Sequence, residues 1–284
     1  MAQLVREIMI EAIVAGVAFY LFLVHTFSYA KPFLNPHLFQ DRNFVASNIF
    51  IFVVGVVLFA TLALVPPMLQ NQMQYPVVLT GLVTAPRGAG TMIAMIVVGR
   101  LVTRFDPRLI IASGLALTAF SLWQMTQFSL TMNSTPIIIS GILQGFGVGL
   151  VWVPLSAVAF TTLPAHLRNE GTSFFNLLRN VGSSIGISVV FFLLTQNTQK
   201  LHASLAAHVT PYNAVSNQAA AAAHFNLGTI QGLIGLNGAI SNQAAMLAYI
   251  DDFQLMMILT LATIPFLFLI KKTRPAGGGH AVME

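Results

Sequence analysis

Two arginines lie inside otherwise apolar stretches, and their chemistry needs explaining first. Arg87 sits in Ala85-Pro86-Arg87-Gly88-Ala89-Gly90, midway along the stretch 77–99, and Arg179 sits in the stretch 172–195. A bare guanidinium at a bilayer centre is costly on every scale, so each must face a helix interior or a water-filled path. Thr172, Asn176, Arg179 and Ser183 recur at helical spacing with Asn180 beside them, drawing one polar stripe on an apolar helix. Two roles fit. Either the arginines help a translocation path sense charge or protonation, or each bonds neighbouring carbonyls and locks two helices together.

Small residues mark where helices approach. Gly141, Gly145 and Gly149 repeat every four residues, as do Gly182 and Gly186, and such ridges let backbones pack closely. Polar Gln144 among the glycines, with a break at Pro154, also suits a moving helix. The short loop from Gly99 through Arg100, Arg104 and Asp106 to Arg108 sets three arginines around one acid. It reads either as a latch of charge-assisted hydrogen bonds or as plain topology signalling. Asp106 before Pro107 is a good helix start, a side-chain cap followed by a proline whose missing N–H costs nothing there.

Acids inside the stretches are nearly missing: Glu11 lies near one end of the first, and Asp251 and Asp252 near the outer end of the last. A proton-coupled carrier usually needs a titrating carboxylate in its path, and these peripheral residues are the candidates. His25 is the only histidine in its stretch, and the others lack metal-ligand spacing. No phosphate-binding glycine loop and no Ser/His/Asp set appears. An ATP-driven pump, a hydrolase, a metal centre and a bound cofactor therefore have no support, and the chain reads as no enzyme.

The elements that must position these residues are membrane helices. Hydrophobic residues make up 56% of the 284 and charged residues 7%, too few charges to cover a soluble surface, so lipid is the solvent. The net charge of +5 comes from scattered Lys and Arg rather than a basic run, which argues against nucleic acid. A bilayer core needs about 20 apolar helical residues. Seven stretches qualify, at 8–30, 46–69, 77–99, 108–127, 135–160, 172–195 and 253–270. With a cytoplasmic C-terminus, nine basic residues fall inside (Lys31, Arg42, Arg100, Arg104, Arg108, Arg168, Lys271, Lys272, Arg274) against two outside, Arg6 and Lys200. The N-terminus is then outside, an awkward start that puts Met1 inside a longer reading frame. A signal peptide cleaved at Ser28-Tyr29-Ala30 is the rival reading of the first stretch, disfavoured because the stretch is long and has no positive leading region. Residues 196–252 read as an outer loop with one or two short helices packed on the bundle. Gln231, Asn237, Asn242 and Gln243 argue against an eighth span there.

Several patches taken in order resemble the C-terminal half of the fourteen-span drug:proton antiporters of the major facilitator superfamily, the EmrB/QacA type. They are Leu38 to Phe44, Ala85 to Gly88 with the Gly99–Arg108 loop, Gln144-Gly145 to Pro154, Asn176 and Arg179 through Gly186, and Ala248-Tyr249 with Asp251 and Phe253. Thr103 stands where the stronger form of the loop motif has an acid, which weakens its latch. The resemblance implies an all-α integral membrane fold. One linker helix (1–30) and a cytoplasmic loop (31–45) precede a six-helix bundle (46–270), and a cytoplasmic tail (271–284) follows it. It implies alternating-access export of small amphipathic or cationic substrates in exchange for protons, in the cell (inner) membrane. Arg179, Asn176, Asn180, Ser183, Arg87 and Gln144 would line the path, with Asp251 at its outer mouth. An N-terminal half and a periplasmic adaptor are the implied partners beside lipid. A membrane scaffold or non-transporting remnant is the competing reading.

Overall fold

The computed structural model describes residues 2–28, 35–208 and 229–270. Its helices are α1 (Ala2–Ser28), α2 (Arg42–Pro67), α3 (Val77–Thr84), α4 (Pro86–Leu101), α5 (Pro107–Met125), α6 (Thr135–Thr161), α7 (Arg168–His208) and α8 (Ile230–Thr263). Six helical segments are long and apolar enough to cross a membrane, with α3 and α4 together forming one of them. The first expected span is a helix too, but its apolar part is the shorter Met9–Leu21. Among the described residues, the closely packed helix pairs of the bundle do not include α1. Lys31, Lys271, Lys272 and Arg274 lie outside the described residues, as do residues 31–34 of the expected loop 31–45 and the whole tail 271–284.

Local chemistry sets the helix starts. The Asp41 carboxylate accepts from the backbone N–H of Asn43 (2.8 Å) and Phe44 (3.0 Å), capping α2. Asp106 caps α5 through the Arg108 N–H at 3.1 Å, as its pairing with Pro107 predicts. Thr229 caps α8 through the Gly232 N–H at 3.1 Å. Pro66 and Pro67 close α2, and a π-helical turn at Met68–Gln72 leads out of it. Pro154, expected to break its helix, lies buried within α6, which continues to Thr161.

Two apolar clusters fill the bundle. One, around Phe44, Phe50, Ile111, Leu155 and Phe175, lies toward the end bearing Arg42, Arg108 and Arg168, here called the basic end. The other, around Leu64, Met68, Leu122, Phe128, Phe253 and Met256, lies toward the opposite end. α6 packs along both α4 and α5, α2 packs along α7, and α8 closes the bundle against α5 and α7. Of the segment 196–252, expected to be an outer loop with one or two short helices, residues 209–228 lie outside the described residues and the described remainder belongs to two long helices. α7 runs 41 residues and α8 runs 34, about 60 and 50 Å against a hydrocarbon core of about 30 Å. Both overrun the membrane at the end away from the arginines, where His202 and Asn237 hydrogen-bond across them at 3.0 Å. Residues 229–248 thus add no eighth span; they extend the last one.

Candidate transport site

Arg87 stands in the first turn of α4, just past the break where α3 ends at Thr84 and Pro86 begins a new helix. Its neighbour on α6 is Gly145, and the Arg87 carbonyl lies closer than 3 Å to where a Cβ on Gly145 would sit. In return the Ile142 carbonyl of α6 occupies the place of a Cβ on Gly90. The glycine ridge of α6 therefore serves close contact with α4, as its spacing predicts. The Arg87 side chain leaves this joint and crosses to α2, where it donates to the Leu58 carbonyl at a long 3.4 Å.

Arg179 repeats the arrangement on the other pair of helices. Its carbonyl lies where a Cβ on Gly55 of α2 would be, and the Phe52 carbonyl lies where a Cβ on Gly182 would be. An Arg-x-x-Gly step thus meets an x-x-x-Gly step, reciprocally, in both joints. Such recurrence is the mark of internal structural repeats in transporter bundles. The Arg179 side chain also crosses to the other joint: its guanidinium carbon lies 5.0 Å from the ring centroid of Trp152 on α6. Its Nε is buried without a hydrogen-bond partner among the described residues, so the aromatic face is its main company.

The polar stripe of α7 is only partly gathered into this site. Asn176 and Ser183 are half-buried while Thr172 and Asn180 are exposed. Asn176 donates back to the Thr172 carbonyl at 3.0 Å, and Ser183 to the Asn180 carbonyl at 3.1 Å. Gln144 is fully buried at the centre, where its amide donates to the Thr61 hydroxyl at 3.2 Å. Thr61 donates to the Val57 carbonyl at 2.7 Å and lies 3.5 Å from the Met256 sulfur. One polar chain therefore joins α6, α2 and α8, and the Gln144 carbonyl oxygen has no partner among the described residues.

Between α2, α4 and α6 lies a cavity of about 460 Å³, within the usual range for small-molecule sites. Leu58, Leu62, Val65, Phe128, Ile137 and Val148 give it apolar walls; Thr84, Arg87 and Thr91 are its polar side chains, and Arg87 its one charge. The Thr84 and Thr91 hydroxyls donate to the carbonyls of Thr80 (2.8 Å) and Arg87 (3.1 Å), so both are spent on their own helix. Arg179, Asn176, Asn180 and Ser183 do not line it.

The two aspartates of α8 separate cleanly. Asp251 is exposed, whereas Asp252 is 1% exposed, with one carboxylate oxygen unpartnered among the described residues. Asp252 is the one buried acid among those residues, and it stands one turn from Met256 on the same buried face. The sequence reading put both at the periphery. The helical phase of Tyr249, Phe253, Met256 and Thr260 was the signal that could have singled out Asp252. In the arginine loop, Asp106 is used as a cap, Arg108 donates to the Ile270 carbonyl, and Arg100 and Arg104 are exposed. Gly99 is open, with nothing near its missing Cβ.

This bundle of apolar helices, broken at a midspan Arg and packed through glycine ridges, is that of a multi-pass membrane protein. Residues 8–187 match the Major Facilitator Superfamily, and the chain belongs to that family, whose members are transporters and not enzymes. It is similar to the fatty acid resistance protein FarB of Neisseria gonorrhoeae, with 29% identity over 96% of this chain and 54% of that protein. The multidrug export protein EmrB of Escherichia coli K12 is 26% identical, over 96% of this chain and 54% of its own. The lincomycin resistance protein LmrB of Listeria monocytogenes is 26% identical, over 81% and 49%. The chain spans about half the length of these relatives, and it is of the EmrB/QacA type within the superfamily.

Proposed function

We propose that this bundle forms one half of a secondary multidrug exporter, working by drug:proton antiport against a second bundle, its N-terminal counterpart, in the cell (inner) membrane. The observation that carries the reading is the cavity between α2, α4 and α6, apolar except for Arg87 and its two spent hydroxyls, in a chain of this family. Binding between bundles near the midplane, with access switched by rocking, is how such folds transport. In this reading the basic end is cytoplasmic, together with the C-terminus. Arg179, on the half-buried face beside Trp152, lines the path with Asn176, Asn180 and Ser183, and Gln144 ties its moving helices. Asp252, buried and incompletely bonded, is the better proton carrier of the α8 pair; Asp251 sits exposed at the mouth. The relatives named for multidrug export, lincomycin resistance and fatty acid resistance support small amphipathic cargo. In this reading a periplasmic adaptor would meet the overrunning ends of α7 and α8.

Dye export by proteoliposomes under an imposed pH gradient tests this. The chain alone should not export, and the chain with a complementary bundle should. Asp252→Asn should then abolish proton dependence, and Arg179→Ala should slow export while membrane insertion is unchanged. Export by the chain alone would remove the need for a second bundle, and no export in either preparation would sink the transporter reading.

A further inference from the structure

The arginine that borders the cavity has a counterpart in the other joint, packed on an aromatic face with its Nε unpartnered among the described residues. In the α2–α7 joint, Arg179 reaches across to α6 and lies over the Trp152 ring, 5.0 Å from its centroid. Trp152 stands two turns past Gly145 on α6. The residue two turns past Gly55 on α2, the same place in the other repeat, is Leu62. Leu62 is a wall of the cavity. Where Arg179 lies over an aromatic face, Arg87 and Leu62 both line the cavity. The one hydrogen bond of the Arg87 guanidinium among the described residues is the 3.4 Å contact to Leu58.

We infer that Arg87 is an anion subsite, and that the cavity takes an amphiphile with a single carboxylate and an apolar body. The cavity is lined by one guanidinium and no acid, so a cationic head would meet uncompensated repulsion. A neutral molecule would leave a guanidinium facing an apolar space with its fork of donors almost unused. A carboxylate accepts two parallel N–H donors from such a fork, and the low-polarity walls strengthen the pair. The aliphatic body of the ligand then covers Leu62, Val65, Phe128 and Ile137. This names the cargo class of the proposed transport site and rests on that reading for its physiological meaning. It also narrows the expectation of amphipathic or cationic substrates to anionic ones at this position.

Binding alone tests it, with the full chain in phosphatidylcholine nanodiscs and laurate, methyl laurate and dodecyltrimethylammonium as competing probes against a dansylated undecanoate. Laurate should displace the reporter best, with the ester and the cation weaker by about tenfold or more, the worth of a charge-assisted hydrogen bond. Arg87→Gln should erase the preference for laurate over its ester, and Arg87→Lys should keep part of it. These substitutions spare the joint, because Arg87 meets Gly145 through its backbone. The wild-type ranking decides the matter even where a variant fails to fold. Equal displacement by the cation, or a laurate preference surviving in Arg87→Gln, would overturn the subsite. So would loss of laurate binding in phosphatidylglycerol nanodiscs, which would make a lipid headgroup the occupant. Absence of export in proteoliposomes, with the laurate preference intact, would instead defeat only the transporter reading.

Discussion

In the α4–α6 joint the carbonyl of Arg87 rests on Gly145 and that of Ile142 on Gly90; in the α2–α7 joint the carbonyl of Arg179 rests on Gly55 and that of Phe52 on Gly182. The backbones have the same register, and in each the arginine side chain crosses to the opposite joint. The side-chain outcomes differ. Arg179 is stacked on Trp152, while Arg87 borders a cavity whose corresponding wall is Leu62. Backbone contact is thus what the two halves of the bundle share, because close packing in lipid depends on it. The side chain facing each arginine from the other joint is where the two halves differ, a ring at Trp152 and an aliphatic wall at Leu62.

The largest effect should come from breaking the shared part. A methyl group on Gly145 or Gly55 would run into backbone, which cannot rotate aside as a side chain can. Gly145→Ala and Gly55→Ala should each cost about 1–3 kcal/mol, the usual range for overpacking, and lower the thermal midpoint of the purified protein. If the joints are equivalent, the two losses should be similar; a silent Gly145→Ala with a damaging Gly55→Ala would show that only α2–α7 holds the bundle. Next in size is the polar link between the joints. Gln144→Leu removes the amide that donates to Thr61 and should cost about 1 kcal/mol, the net worth of one buried hydrogen bond. The unpartnered Gln144 oxygen offsets part of that loss, so a gain in stability would mean the link is retained for motion rather than strength.

Much of this comparison was legible before any coordinates. The apolar stretches located α2 and α4 through α7, Asp106 marked the start of α5, and the spacing of Gly141, Gly145 and Gly149 marked the face that meets α4. The intramembrane arginines stood out because charge in lipid is costly. Other features were hidden for physical reasons. The amides of residues 229–248 argue against lipid but not against a helix, so the overrun of α8 has the composition of an outer loop. Pro154 falls inside a buried segment whose packing outweighs its missing hydrogen bond. The pairing of Arg87 with Gly145 across two helices leaves no trace in spacing along one. The choice of Asp252 over Asp251 rests on helix phase, which neighbouring identical residues blur unless the buried face is counted out.

The difference between the halves can be sharpened by exchanging the residues that make it. Leu62→Trp supplies Arg87 with a ring where Arg179 has one, and should fill the cavity. The expected gain is about 0.5–1 kcal/mol of stability from the cation–π contact, with loss of probe binding. Trp152→Leu should do the reverse, loosening Arg179 and opening a second space beside α7. If Leu62→Trp stabilises while Trp152→Leu leaves binding at Arg87 untouched, the two positions are independent uses of one scaffold. The smallest effect belongs to Gly88, which lines the cavity but has nothing within 4 Å of its missing Cβ. Gly88→Ala should leave stability nearly unchanged or raise it by up to about 1 kcal/mol through helix propensity. Set beside Gly145→Ala on the facing helix, it separates glycine needed for approach from glycine that only leaves room. A Gly88→Ala penalty as large as that at Gly145 would mean the start of α4 moves against α2, closing the cavity around what it holds.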